Sequence, residues 1–277
     1  MSRRRELDQH LRKLGEIGEI MRSMKNLALM ETRKLARFLE AQKQSVQLIE
    51  VTAEDFLNFH RDLAAKQAFG LQVILVLGSE RGFCGDFNEE LIDELEAKTA
   101  STSLILAVGS KLYTRIESHP ALAEKFDGPV VAEDVPKTLN ALIQAIGRLQ
   151  EHGKCQGLIV LHHRSGIVGI ARKSLLPPFT ENQQPESELH HPPLYNLTPV
   201  QFYAELVHHY LFAALHEIFH TSLMAENQRR IQHLEGAIER LGDKTDDLAR
   251  KSRTLRQDEI TEEIEVILLG VDGNVHR

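Results

Sequence analysis

The 277-residue chain is poor in cysteine, in long apolar runs and in positive charge. Its two cysteines, Cys84 and Cys155, stand far apart with no CxxC spacing, which excludes a disulfide framework and a thiolate metal knuckle. No window approaches the roughly 18 to 20 continuous apolar residues of a bilayer span, since "LFAALHEIF" is short and carries a His and a Glu. No direct membrane span is expected. Against 40 acidic side chains stand 33 basic ones, a balance that excludes a general nucleic-acid binder, whose affinity comes from Lys and Arg clustered against phosphates. The basic start, "MSRRRELDQHLRKL", runs into an amphipathic charged segment in place of the apolar core of an export signal. It is read as structural, in a cytosolic chain.

Proline is absent from residues 1 to 65. There Leu7, Leu11, Leu14, Gly18, Met21, Ala28, Leu35, Leu39, Val46, Ile49, Ala53, Phe56 and Leu63 recur at alternating fours and threes, with polar seam positions at Lys25, Thr32, Gln42 and His60. That heptad pattern predicts one long helix, some 90 Å at about 1.5 Å per residue. After Pro199 the behaviour returns with Ile231, Leu234, Ile238, Leu241, Thr245, Leu248, Ser252 and Leu255, a second long helix ending near Gly270. Neither stripe is stable in water alone, so the two are expected to pair as an antiparallel coiled coil. Gly15 and Gly18 each cost a helix about 1 kcal/mol relative to alanine, which close approach of the partner helix would offset.

Between the helices, "LQVILVLG" (71–78), "TSLILAVG" (102–109) and "GLIVLHH" (157–163) read as buried strands. Helical stretches at 89–98 and 139–151 separate them, so βαβ units with a parallel sheet are expected, and "GIVGIARKSLLP" adds a possible edge strand. Six prolines between Pro177 and Pro199 mark an exposed loop. The expected divisions are a shaft helix over 1–65, an α/β domain over 70–176, a proline-rich loop over 177–199 and a second shaft helix over 200–270.

Three features invite a chemical reading. "HEIFH", His216 to His220, has the spacing by which a helix offers two imidazoles to zinc with Glu217 as general base. A third ligand is missing, because Leu223 and Glu226 stand where the longer pattern needs Gly and His, and Glu239 lies too far along the same helix. His216 and His220 are instead expected to flank the ridge of Phe212, Leu215, Phe219 and Leu223, and a zinc-dependent peptidase is the alternative. The pairs His162-His163, His190-His191 and His208-His209 are expected at the surface. "GSERGFCGDFN" follows the first strand where a phosphate loop would stand, yet it lacks the Lys and hydroxyl that phosphate and magnesium need, and Asp86 would repel a phosphate. A tight turn with Asp86 near the N-cap and an inert Cys84 is expected. Lys244, Arg250, Lys251, Arg253 and Arg256, interleaved with Asp243, Asp246, Asp247 and Asp258, read as a solvated helix face.

"IMRSMKNLALMETRK" (20–34), "SERGFCGDFN" (79–88) and "RQDEITEEIEVIL" (256–268) together resemble, in order and spacing, the motifs of the gamma subunit of rotary F-type ATP synthases. The resemblance covers the whole chain. It implies α/β plus long helices, with an antiparallel coiled coil of N- and C-terminal helices and a central Rossmann-like α/β domain. It further implies a rotor shaft without active site, metal or cofactor, transmitting torque between ion translocation and ATP synthesis or hydrolysis. Its partners would be the alpha and beta subunits of the hexamer, the epsilon subunit and the c-ring, at the cytoplasmic face of a bacterial inner membrane. Carried over by position, Met24 matches a shaft methionine near the beta subunit's acidic lever, and Arg256, Gln257, Thr261 and Glu263 match polar shaft positions that touch the ring. Ile264, Ile267 and Leu268 match an apolar bearing tip. Ile17, Glu19, Asp86 and Val266 depart from the family pattern and resemble a divergent branch, such as the alternative ATPases found beside a standard enzyme in some bacteria. A non-catalytic coiled-coil tether is the remaining alternative.

Overall fold

The computed structural model describes residues 3–63, 71–98, 103–153, 155–166, 169–179, 191, 194 and 196–272, with side chains from residue 4 to residue 267 of that set except that of Lys98. In chain order the elements are α1 (Arg3–Phe59), a 3-10 turn (Arg61–Leu63), β1 (Gln72–Leu77), α2 (Phe87–Lys98), β2 (Ser103–Val108), α3 (Ser110–Tyr113) and β3 (Leu122–Phe126). A second 3-10 turn (Ala132–Asp134), α4 (Val135–Glu151), β4 (Gly157–His163), β5 (Ile170–Leu176) and α5 (Pro199–Asp272) follow. Most of the expected proline-rich loop, from Thr180 to His190 and including Pro192, Pro193 and Tyr195, lies outside the described residues.

Packing divides the chain into two units, residues 1–27 with 232–277, and residues 28–231. Both long helices contribute to each.

In the first unit, α1 and α5 run antiparallel. Arg4 pairs with Glu259 at 2.9 Å, Asp8 accepts from Ser252 at 2.8 Å, Gly18 faces Leu241 and Lys25 reaches Glu235 at 3.5 Å. Partner numbers fall as α1 numbers rise, which only an antiparallel pair gives. Leu14, Gly18, Met21 and Leu234 are buried on this seam, and Ile238, Leu241, Thr245, Leu248, Ser252 and Leu255 are half-buried. The heptad stripe is therefore the buried stripe. A Cβ on Gly18 would stand 3.2 Å from Leu241 Cδ2, whereas one on Gly15 would meet nothing within 4 Å. Close helix approach thus explains Gly18 and leaves Gly15 without a packing reason. Gly15→Ala should stabilise the chain by about 0.5 to 1 kcal/mol, and Gly18→Leu should cost about 1 to 3 kcal/mol by overpacking the seam. Urea denaturation of the two variants checks both signs.

In the second unit, a five-stranded sheet has the order β3-β2-β1-β4-β5. β1, β2, β3 and β4 are parallel, as the βαβ pattern requires, while β5 returns antiparallel on β4. Alternation sorts β1 between two cores. Val73, Leu75 and Leu77 face α1, α4 and α5, packing with Leu35, Leu39, Leu139, Leu142, Ile218 and Phe219. Ile74 and Val76 face α2, packing with Phe87, Leu91 and Leu95. Each such side chain contributes roughly 1.5 to 3 kcal/mol over an exposed one.

Sequence periodicity misses β3 and α3. β3 is "LAEKF" on the sheet edge with alternating half-buried residues, and its Ala, Glu, Lys and Leu favour helix; pairing with β2 overrides that preference. α5 begins at Pro199. Thr198 Oγ1 accepts from the Gln201 amide at 3.4 Å and Gln201 Oε1 accepts from the Thr198 amide at 3.4 Å, a capping box with Pro199 as first helical residue.

Candidate functional site

The imidazoles at 216 and 220 lie one turn apart on α5, ring centroids 5.8 Å from each other. His216 leans on Phe212 at 4.5 Å, and His220 is buried and stacks on Phe38 at 6.2 Å. Both pKa values fall below the usual imidazole range, chiefly through burial. Glu217 lies 3.7 Å from Lys173, which also reaches Glu50 at 3.8 Å. Among the described residues no group of three or more His, Cys, Asp or Glu could hold a metal ion. The imidazoles pack on the aromatic ridge, as the sequence led us to expect.

A second candidate is the crevice at the C-terminal end of β1, lined also by the end of β2 and next to the point where the strand order reverses, the region in which doubly wound sheets bind nucleotides. Here it is filled by α5. Ser222 donates to the Leu77 carbonyl at 3.4 Å, and the space left among Leu77, Gly78, Val108, Pro129, Phe219, Ser222, Leu223 and Glu226 is about 10 Å³, no more than one water needs.

The β1–α2 turn that borders this crevice is strongly bent, with Phe83 at φ 65° and Gly85 at φ 60°. Asp86 directly precedes α2, and its carbonyl accepts from the Glu90 amide at 3.0 Å, the N-cap position expected for it. Asn88 fixes the turn from below, accepting from the Ser79 amide at 2.9 Å and donating to the Ser79 hydroxyl at 2.9 Å. Carboxylates of the chain itself take up backbone donors in and around this turn. Glu80 accepts from the Ser110 amide at 2.9 Å and the Gly128 amide at 2.7 Å. Glu226, buried, pairs with Arg230 one turn along α5; burial pushes its carboxyl up, while Arg230 and the backbone at Arg81 and Glu80 favour the ion. The Cys84 thiol is pushed up to about 12, first by burial, so at neutral pH it is neither thiolate nucleophile nor metal ligand.

One expectation is overturned at this end of the sheet. His162 and His163 are buried in β4, at 6% and 2% exposure. Adjacent strand residues face opposite sides, and both faces of this sheet are covered. His163 donates from Nε2 to the Phe87 carbonyl at 2.7 Å and stacks on the Phe87 ring at 3.9 Å. His162 donates from Nδ1 to the His163 carbonyl at 2.9 Å.

The positions carried over from the family resemblance all fall in the first unit. Met24 is half-buried beside the seam. Arg256, Gln257, Thr261 and Glu263 are exposed on α5, and Thr261 donates back to the Gln257 carbonyl at 2.9 Å. Ile264 and Ile267 are 51% and 64% exposed, with Ile260 and Val266 also open to solvent. The side chain of Leu268 lies outside the described residues. Sequence reasoning passed over Glu226 and Arg230 as a pair, although opposite charges four apart, just after the small and apolar stretch Ser222 to Ala225, were a usable signal.

A family profile described as ATP synthase matches residues 3–273. The ATP synthase gamma chain of Clostridium botulinum (strain Langeland) is 26% identical over 277 residues, covering 95% of this chain and 96% of that one. That of Geotalea daltonii is 23% identical over 269 residues, covering 92% and 93%. Among solved structures, a chain of the Euglena gracilis mitochondrial ATP synthase rotor superposes with a TM-score of 0.65 at 12% identity, covering 93% of this chain and 98% of that one. A chain of the Tetrahymena thermophila mitochondrial ATP synthase central stalk and c-ring superposes with a TM-score of 0.59 at 14% identity, covering 79% and 99%. With the profile matched from residue 3 to residue 273, and the two long helices and mixed sheet of that fold in place, this chain belongs to the ATP synthase gamma-chain family.

Proposed function

We propose that this chain is the central rotor shaft of an F-type ATP synthase, turning inside a hexamer of alpha and beta subunits and resting with an epsilon subunit on a c-ring. It carries torque between ion translocation and nucleotide exchange, holds no active site of its own, and sits as a peripheral subunit on the cytoplasmic face of a bacterial plasma membrane. The observation that carries this reading is the family match across nearly the whole chain, joined to two antiparallel helices of 57 and 74 residues. At about 1.5 Å per residue they span roughly 85 and 110 Å, far more than a compact domain needs. Among the described residues no helix is long and apolar enough to cross a membrane.

The exposed apolar residues Ile264 and Ile267, with Leu268 beside them in sequence, form the bearing tip in this reading. A bearing favours apolar surface because it adheres weakly and without direction, whereas ion pairs would hold preferred angles. Met24, Arg256, Gln257, Thr261 and Glu263 meet the ring. Among the described residues Arg256 and Glu263 make no ion pair, which leaves both charges available to a partner.

Co-expression with alpha and beta subunits tests the proposal. The chain should co-purify with the hexamer, and its deletion should abolish ATP-driven ion transport; a stable chain that never binds the hexamer overturns the reading. Ile264→Asp with Ile267→Asp should leave the stability of the free chain within about 0.5 kcal/mol, as expected of exposed positions, and weaken its retention by the hexamer.

A further inference from the structure

Glu226 and Arg230 occupy the place in the sheet where a phosphate would be held, and they belong to the helix proposed to carry torque. The Arg230 guanidinium donates from Nε to the Gly82 carbonyl at 3.2 Å, from Nη2 to the Arg81 carbonyl at 3.2 Å and from Nη1 to Asn227 Oδ1 at 2.9 Å. Its Nη2 also lies 3.2 Å from Cys84 Sγ and pairs with Glu226. Arg230 and Glu226 are both 5% exposed. Resting on the rotor reading above, we propose that this pair locks α5 at one rotational setting on the sheet, so that turning force passes between sheet and helix through the β1–α2 turn.

The physical argument is one of direction. Apolar contacts such as Phe219 and Leu223 against Leu77 and Val108 resist separation, but they change little when a helix rolls by a few degrees, because dispersion is non-directional. Charge-assisted hydrogen bonds to fixed carbonyls weaken steeply with angle. These act off the helix axis, at the side-chain radius of about 5 to 6 Å, where a bond opposes rotation with most leverage. The receiving turn is itself braced, since Asn88 holds Ser79 through two buried hydrogen bonds. The end of β1 is thus occupied by side chains of α5 itself.

The test uses the complete complex in membrane vesicles, with ATP hydrolysis and ATP-driven uptake of protons and of sodium measured on the same preparation. Arg230→Met should lower ions moved per ATP several-fold while hydrolysis persists, and Glu226→Gln should do the same more weakly. The double variant Glu226→Leu with Arg230→Met removes both charges at similar volume; its stability should recover, and its transport per ATP should stay low. Recovery of transport in the double variant would overturn the proposal, since the pair would then serve only to neutralise its own charges. So would a parallel loss of hydrolysis, transport and assembled complex in the single variants, the mark of a merely structural role. If the unaltered chain fails to join the hexamer, the rotor reading itself fails, which is a separate outcome.

Discussion

Acidification from pH 7 to pH 4 should remove about 3 kcal/mol of folding stability through His162 alone. Its imidazole is pushed down from the ordinary 6.5 to about 4, chiefly by burial and secondarily by Lys173, His163 and Arg164, against the opposing effect of the His163 carbonyl. A depressed histidine binds its proton in the unfolded chain before it does so in the folded one. Stability is then fully present above pH 6.5 and is lost as pH falls toward the folded value. A shift of this size corresponds to about 3 kcal/mol at 1.36 kcal/mol per pH unit. His163, His216 and His220 shift the same way for the same first cause, burial, and steepen the loss. His162→Asn keeps a donor for the His163 carbonyl and cannot titrate in this range. Urea denaturation at pH 7 and pH 4.5 should show a pH-dependent loss smaller in the variant by about 2 kcal/mol, and equal losses in the two proteins would refute the assignment.

Phe56→Ala should cost about 3 to 5 kcal/mol, the usual penalty for deleting a buried aromatic ring. Phe56 is 1% exposed near the end of α1, with ring centroids 4.8 Å from Phe202 and 6.3 Å from Tyr203 in the first turn of α5, and 4.7 Å from His60. The cluster ties the last turn of one long helix to the first turn of the other, so the cavity opens where both would fray. Thermal unfolding should fall by several degrees. Hydrogen exchange should rise first in the amides around 52–59 and 200–206. A variant that melts like the parent would mean that the ring contributes little to holding these ends together.

Much of this molecule was legible before any coordinates, because the signals were local and repeated. The heptad seam from Leu7 to Phe56 predicts α1, and the second heptad run from Ile231 to Leu255 predicts α5. Three continuous apolar runs predict β1, β2 and β4, and the motifs at 20–34, 79–88 and 256–268 name the family. β3 escaped because its residues favour helix and its strand identity comes from β2 alone. His162 and His163 escaped because histidine is ambivalent about water, and only a sheet covered on both faces decides the matter. Gly15 and Gly18 look alike in sequence, yet only Gly18 faces a partner side chain at close range.

Periodicity by itself determined that two long helices exist, that each needs a partner along one stripe, and that a parallel sheet lies between them, since these follow from spacing within short windows of chain. The burial of Glu226 and Arg230 against the turn at 80–84 was decided only by the tertiary structure. That contact joins residues about 146 positions apart, and whether such a charge meets water, a nucleotide or its own backbone depends on what the fold brings beside it.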